Sequence, residues 1–311
     1  MRIIYYSYAA TEGHAFERQW VQSIRSLRLH NASIPVFLFL YNDPSAEILL
    51  EAARRDVRVT ALGQYKGYLK QITGKDCPTL ASCPTLHKFL ALSLLSIEHP
   101  SQLLYVDGDT FFLGDVAVLF DRYYELDFYA REEPHSRRSN YGYDPKYLNE
   151  EVLSALAVAE GLVSVPPYNT GVCLMNNAIW NKLSVESSHY LDYAARLLTG
   201  LQTMPFSRDQ QERYPWLHTA SVSPIDRLRL LEYPSANPWI VDEIALWLTL
   251  GRLATFSHGM LSPTDIAQNG EILIASAAMG KVVIAHYFRR LEGKFFERFQ
   301  MLDANLIPVR S

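Results

Sequence analysis

The chain has 311 residues, 29 basic and 33 acidic side chains, a net charge of -4 and 49% hydrophobic residues. That is enough apolar material to close a core without a disulfide or metal staple, and too little clustered positive charge for a protein that grips nucleic acid through phosphates. Three cysteines, Cys77, Cys83 and Cys173, with no Cys-x-x-Cys spacing, suggest neither a disulfide framework nor a cysteine zinc site and fit free thiols in a reducing compartment.

Met1 and Arg2 lead straight into a strand-like run, Ile3 to Tyr8, with no signal-type apolar stretch. No apolar run approaches the roughly 18 residues of a membrane span. The expected location is therefore the cytoplasm. Phe16, Trp20, Ile24 and Leu27 then recur at helical spacing, and Pro35 opens a second apolar run, Val36 to Tyr41. Together these predict a βαβ unit in a buried parallel sheet. Val57 to Leu62 offers a third strand. Thr85 to Ile97 predicts a helix with Leu86, Phe89, Leu90, Leu94 and Ile97 on one side, and Leu103 to Val106 a fourth strand.

The apolar strand Leu103 to Val106 runs into Asp107-Gly108-Asp109, then Thr110-Phe111-Phe112. Two carboxylates at the carboxyl edge of a parallel sheet stand where open α/β folds bind ligands. So placed, they can hold a hard divalent cation, with positions left for water and a substrate diphosphate. The same aspartates could instead cap backbone amides in a strand-ending turn.

From Arg131 to Pro167 the periodicity weakens into a polar excursion, with a short helix expected near Glu150 to Ala159. Thr170 to Met175 predicts a strand, Ala178 to Leu198 a helix, Ile240 to Leu250 another, and Val282 to Ala285 a last strand. No internal repeat interrupts this order. The fold class expected is α/β, a Rossmann-like, mostly parallel central sheet flanked by helices, as one domain. Residues 1–120 would form a nucleotide-binding half, 131–167 an excursion or lid, and 168–311 an acceptor-facing half.

Taken together, His87-Lys88-Phe89, the Leu-Leu-Tyr-Val-Asp-Gly-Asp-Thr strand, Asp115, and Tyr168-Asn169-Thr170-Gly171-Val172 leading to Met175-Asn176 resemble the nucleotide-sugar glycosyltransferases of the GT-A fold. The likeness is to the retaining family 8 group that includes glycogenin and bacterial lipopolysaccharide galactosyltransferases. It implies that Asp107 and Asp109 bind manganese, or magnesium, together with the donor diphosphate across Gly108. Asn169, Thr170 and Gly171 would lie at the donor sugar, Thr170 replacing the usual Ala. Lys88 stands where the family has an Arg that touches the donor, keeping the charge without the bidentate fork.

The resemblance further sets Tyr8, Ala9 and Thr11 at the base and ribose, where Tyr8 as core packing is equally open. Val283-Ile284-Ala285-His286-Tyr287 resembles the family's last strand, with His286 as a third metal ligand or as a structural histidine. An imidazole beside two carboxylates suits manganese, whereas an all-oxygen set suits magnesium. The family's Lys-Pro-Trp tail is missing, and Lys294 would either meet the diphosphate or be solvated. Asp242 and Glu243, opening a helix, resemble the family's acidic segment near sugar and acceptor, and acids in a first turn are also favoured by the helix dipole. Trp216 and Trp239 would either face an acceptor sugar or pack in the core.

The implied reaction moves a hexose from a nucleotide diphosphate sugar, UDP-sugar favoured, to a hydroxyl of a sugar, a lipid-linked or a protein acceptor, with retention. Asn169, Asp242 and Glu243 are the candidate catalytic groups. The basic and aromatic segment 287–299 is a candidate for peripheral membrane contact, or an ordinary closing helix. The competing reading is an inactive nucleotide-sugar-binding or scaffold protein that kept the fold. A haloacid-dehalogenase-type phosphatase is excluded on register, since its Asp-x-Asp-x-Thr motif would not put Thr110 next to Asp109. Paired-carboxylate glycosidase chemistry is disfavoured because Asp107 and Asp109 are too close to flank a sugar ring.

Overall fold

The computed structural model describes residues 1–10, 16–81, 83, 85–132, 156–162, 168–203, 241–253, 255–268 and 282–286. Ten strands and nine helices carry the description: β1 (Arg2–Ala9), α1 (Glu17–His30), β2 (Val36–Tyr41), α2 (Ala46–Arg54), β3 (Arg58–Ala61), α3 (Tyr65–Thr73), α4 (Pro78–Ala81), α5 (Leu92–Leu95), β4 (Gln102–Val106), β5 (Thr110–Phe112), α6 (Ala117–Arg122), β6 (Phe128–Glu132), β7 (Tyr168–Asn176), α7 (Ile179–Val185), α8 (Ser187–Thr203), α9 (Val241–Arg252), β8 (His258–Met260), β9 (Ile266–Gln268) and β10 (Ile284–His286). Short 3-10 turns at Leu86–Phe89 and Ser96–Glu98 flank α5.

Seven strands form one sheet in the order β3-β2-β1-β4-β7-β6-β8. Every adjacent pair is parallel except those made by β7, which runs against both β4 and β6. Winding reverses between β1 and β4, so the crevice outside the carboxyl ends of these two strands is the topological switch point. A smaller sheet, β5-β10-β9, lies beside it.

The period-2 alternation of side chains divides the core into two layers. Ile3, Tyr5, Phe37, Phe39, Leu103, Tyr105, Cys173 and Met175 face one cluster with residues of α3 to α5 and α7 to α9. Ile4, Tyr6, Leu38, Leu40, Leu104, Val106, Val172 and Leu174 face the other, with α1, α2 and α6. Each fully buried large apolar side chain contributes on the order of 1.5–3 kcal/mol. This is why the strands read as continuous apolar runs rather than as alternating ones.

Two expectations are corrected. Thr85 to Ile97 is not one helix but a 3-10 turn, a short α segment and a second 3-10 turn. His87 and Lys88, both buried, are drawn inward by polar partners on β1, the turn after β4, β7 and α9, and that tertiary demand overrides the apolar periodicity. Ala178 to Leu198 divides at Glu186 into α7 and α8. The third strand forms where expected, as β3, pairing with β2 at the edge of the sheet with all four residues exposed. Of the excursion, residues 133–155 and 163–167 lie outside the described residues, and 156–159 are helical.

Candidate active site

β4 delivers Asp107 to the switch point, and the turn that follows is fixed from both sides. The Thr110 hydroxyl donates to the Asp107 carbonyl at 2.7 Å, and the Asp107 amide donates to the Gly171 carbonyl on β7 at 2.8 Å. Gly108 is dictated by sterics: a Cβ there would lie 2.4 Å from Nε1 of Trp20, whose indole packs beneath the turn. The Asp-Gly-Asp spacing thus has a packing cause as well as a chemical one.

The strand after the turn, β5, pairs antiparallel with β10 and sets His286 opposite Thr110. Nε2 of His286 comes within 3.3 Å of Oδ1 of Asp109. Asp107, Asp109 and His286 each offer one ligand atom, and these atoms lie within 4.8 Å of one another. His286 is buried, which alone would lower its pKa. The Asp109 and Asp107 carboxylates outweigh that and hold it above the ordinary 6.5.

β7 begins at the same edge because it runs opposite to β4, with Val106 paired to Val172. Its first residues, Tyr168 to Gly171, therefore face the Asp-Gly-Asp turn. The Asn169 side chain donates to Oε1 of Glu243 at 3.2 Å and accepts from the Gly171 amide at 3.1 Å. The Thr170 amide also donates to Oε1 of Glu243, at 3.3 Å, and the Thr170 hydroxyl donates to Oδ2 of Asp242 at 2.9 Å. Both acids stand in the first turn of α9, almost wholly buried. That helix is docked by Trp247, whose indole N–H donates to the Tyr168 carbonyl at 2.7 Å.

Lys88 sits at the centre. Its ammonium donates to Oδ2 of Asp107 at 2.9 Å and to the Thr170 hydroxyl at 3.1 Å, and pairs with Oδ2 of Asp242 at 2.9 Å. Burial by itself would discharge this lysine, but Asp107, Asp242 and Glu243 hold its pKa well above the usual lysine range. One ammonium is thus shared between the carboxylates of Asp107 and Asp242. Oδ1 of Asp242 accepts no hydrogen bond among the described residues although it is fully buried. An acceptor left so is costly unless a ligand completes it.

The structure thus brings together Lys88, Asp107, Gly108, Asp109, Asn169, Thr170, Gly171, Asp242, Glu243 and His286. Tyr8 and Ala9 end β1 at the same edge, with the Tyr8 ring against Trp20 at 5.4 Å. Thr11, Lys294, Trp216, Trp239 and the segment 287–299 lie outside the described residues. Asp115 instead caps the Ala117 amide, at 2.8 Å.

Two contributors go beyond what the sequence predicts. Tyr105 is pushed to a high pKa, first by burial and then by Asp107, so it stays protonated and its hydroxyl donates to Oδ1 of Asp107. The signal was available, because residues two apart on a strand share a face. Ser7, at the end of β1, holds the His87 ring nitrogen at 2.8 Å and donates to the His87 carbonyl at 3.2 Å. That pairing joins residues 80 positions apart and has no local signature.

A mostly parallel sheet with one reversed strand, an Asp-x-Asp turn at its switch point and a small second sheet bearing a histidine define the class: the chain has the GT-A glycosyltransferase fold. No protein-family model and no curated protein matches the chain. Among solved structures, an active-site mutant of LgtC matches with a TM-score of 0.52 and 12% identity, covering 100% of this chain and 98% of that one. The galactosyltransferase LgtC in complex with donor and acceptor sugar analogues matches at 0.49 and 12%, with 100% and 98% covered. Mouse xyloside xylosyltransferase 1 matches at 0.44 and 13%, covering 92% of this chain and 97% of that one. Among the described residues no helix is long and apolar enough to cross a membrane.

Proposed function

We propose that the chain is a metal-dependent hexosyltransferase, moving a sugar from a nucleotide diphosphate donor, UDP-sugar favoured, to a hydroxyl acceptor with retention of configuration. The observation that carries this reading is the convergence of Asp107, Asp109 and His286 beside Asn169 and Asp242 at the switch point. Two carboxylates and an imidazole fit manganese, and would accept magnesium. When bound, such a cation neutralises the charge that develops on the departing diphosphate.

The remaining roles fall to the chain's own groups. Oδ1 of Asp242, buried and without a partner among the described residues, accepts from a sugar hydroxyl, and Asn169, oriented through Glu243, faces the same sugar. Thr170 and Gly171 line the donor beside it, and Tyr8, Ala9 and Thr11 receive base and ribose. Residues 1–120 form the nucleotide half and 168–311 the acceptor half, with the excursion 131–167 as a lid and Lys294 near the diphosphate. Acceptors are a sugar, a lipid-linked or a protein hydroxyl, and 287–299 is the segment to touch a membrane. The free thiols support a reducing, cytoplasmic setting.

The test is thermal unfolding with uridine, guanosine, cytidine and thymidine diphosphates, with and without manganese. A ligand that binds only the native state raises its melting temperature. A shift by uridine diphosphate that needs manganese and disappears in Asp109→Ala supports the reading. No shift with any nucleotide and metal favours the inactive scaffold instead.

A further inference from the structure

Lys88 has three ammonium protons, and the structure supplies three acceptors for them: Oδ2 of Asp107, Oδ2 of Asp242 and the Thr170 hydroxyl, at 2.9, 2.9 and 3.1 Å. An ammonium is a tripod donor with no further capacity. The Thr170 hydroxyl accepts from Lys88 while donating to Asp242, so it fixes the lysine and the carboxylate in one network. The Lys88 side chain is only 8% exposed and cannot swing to water without breaking all three contacts. Asp107 in turn has both oxygens engaged, Oδ1 by the Tyr105 hydroxyl and Oδ2 by Lys88.

We propose that Lys88 is a built-in counter-cation that holds the Asp107 site at low affinity for a divalent ion until a nucleoside diphosphate arrives. Its positive charge hydrogen-bonds the carboxylate that the cation shares, so the two repel. A diphosphate adds negative charge and acceptor oxygens, which offset that repulsion and let both cations stay. Thr170 is the positioning residue of the device, because its hydroxyl holds the ammonium and Asp242 at once. Binding is then coupled: the divalent ion alone is weak, and ion and diphosphate together are strong.

The inference rests on Asp107, Asp109 and His286 being a cation site, and the experiment separates the two. Free manganese is titrated by electron paramagnetic resonance against the full chain, with and without uridine diphosphate. The proteins are the parent, Lys88→Met, Lys88→Gln and the charge-retaining Lys88→Arg. In the parent, uridine diphosphate should tighten manganese binding roughly tenfold or more. In both neutral variants manganese alone should bind roughly tenfold tighter than in the parent, because a like charge near the ion is gone, and the diphosphate should add less. Lys88→Arg should stay near the parent.

A lysine that merely supports the fold predicts the opposite sign, weaker manganese binding in every neutral variant. The glutamine variant keeps an amide donor for Asp107 and Thr170, so that a fold too weak to survive methionine still gives a reading. If the parent binds manganese with the diphosphate but the neutral variants bind it no tighter, the counter-cation inference fails and the metal reading stands. If no protein binds manganese with or without the diphosphate, both fail.

Discussion

Gly171 and His286 are in contact with no room for a side chain between them: a Cβ on Gly171 would lie 2.0 Å from Cε1 of the imidazole. The strand that carries the candidate sugar segment therefore forms the wall against which the candidate metal ligand rests. Gly171→Ala should push the His286 ring aside, at a cost of about 1–3 kcal/mol for the overpacking. The manganese-dependent stabilisation by uridine diphosphate should be lost as well. Thermal melts with and without both ligands check this; an alanine variant that keeps the ligand-dependent shift contradicts it.

Asp109 is a different case, since its side chain is 22% exposed and its partner is His286. Asp109→Asn should cost about 1 kcal/mol of intrinsic stability, the scale of a partly solvated ion pair. It should nevertheless remove the stabilisation that saturating ligand confers on the parent, about 2.7 kcal/mol at a hundredfold excess over the dissociation constant. Chemical denaturation of parent and variant, each with and without manganese and uridine diphosphate, separates the two contributions.

Away from the site, Asn176 closes β7. Its amide donates to the carbonyls of Tyr123 and Leu126 at 2.8 and 2.6 Å and its oxygen accepts from Gln102 at 2.9 Å, the bonds to Tyr123 and Gln102 buried and that to Leu126 half-buried. Asn176→Ala should destabilise by about 2–4 kcal/mol, because it strands several buried polar groups at once. Urea unfolding should show a lower midpoint with an unchanged slope.

Acid should weaken the protein partly through Glu51. Burial by itself would raise its pKa, but the guanidinium groups of Arg25 and Arg55, each at 3.0 Å, bring it below the ordinary 4.5. A carboxyl whose folded pKa is depressed contributes stability above its unfolded value and loses it as pH falls through the folded value. Stability should thus decline below about pH 4.5, and Glu51→Gln should flatten that part of the curve. Both arginines reach solvent, so the contribution near neutral pH is about 1 kcal/mol or less. Melting curves from pH 3 to 7, roughly the range over which carboxylates titrate, would show it.

How far the sequence discloses this arrangement depends on the range of the interaction. The sheet strands β1, β2, β4 and β7 were legible as apolar runs because both faces are buried, and the Asp-Gly-Asp turn was legible because it ends one of them. The three-residue strands β5, β8, β9 and β10 are too short to carry a period, although Val282 to Ala285 drew attention to the last of them. The direction of β7 is invisible to periodicity, since an antiparallel strand buried on both faces reads like a parallel one. In the sequence Lys88 and Thr170 stand out only as departures from the resembled family. That they meet each other and Asp242 is a matter of tertiary placement across 82 residues.

His286 reaches Asp109 only when β10 returns to pair with β5. The candidate cation site is thus shared between the early and the late parts of the chain, and loop-closure entropy makes such distant pairings late events in folding. During synthesis the two aspartates emerge long before their third partner, and any chain interrupted before residue 284 would lack it. The candidate site is accordingly its own check on completeness: a partial product could build most of the large sheet and still lack the imidazole that completes the cluster.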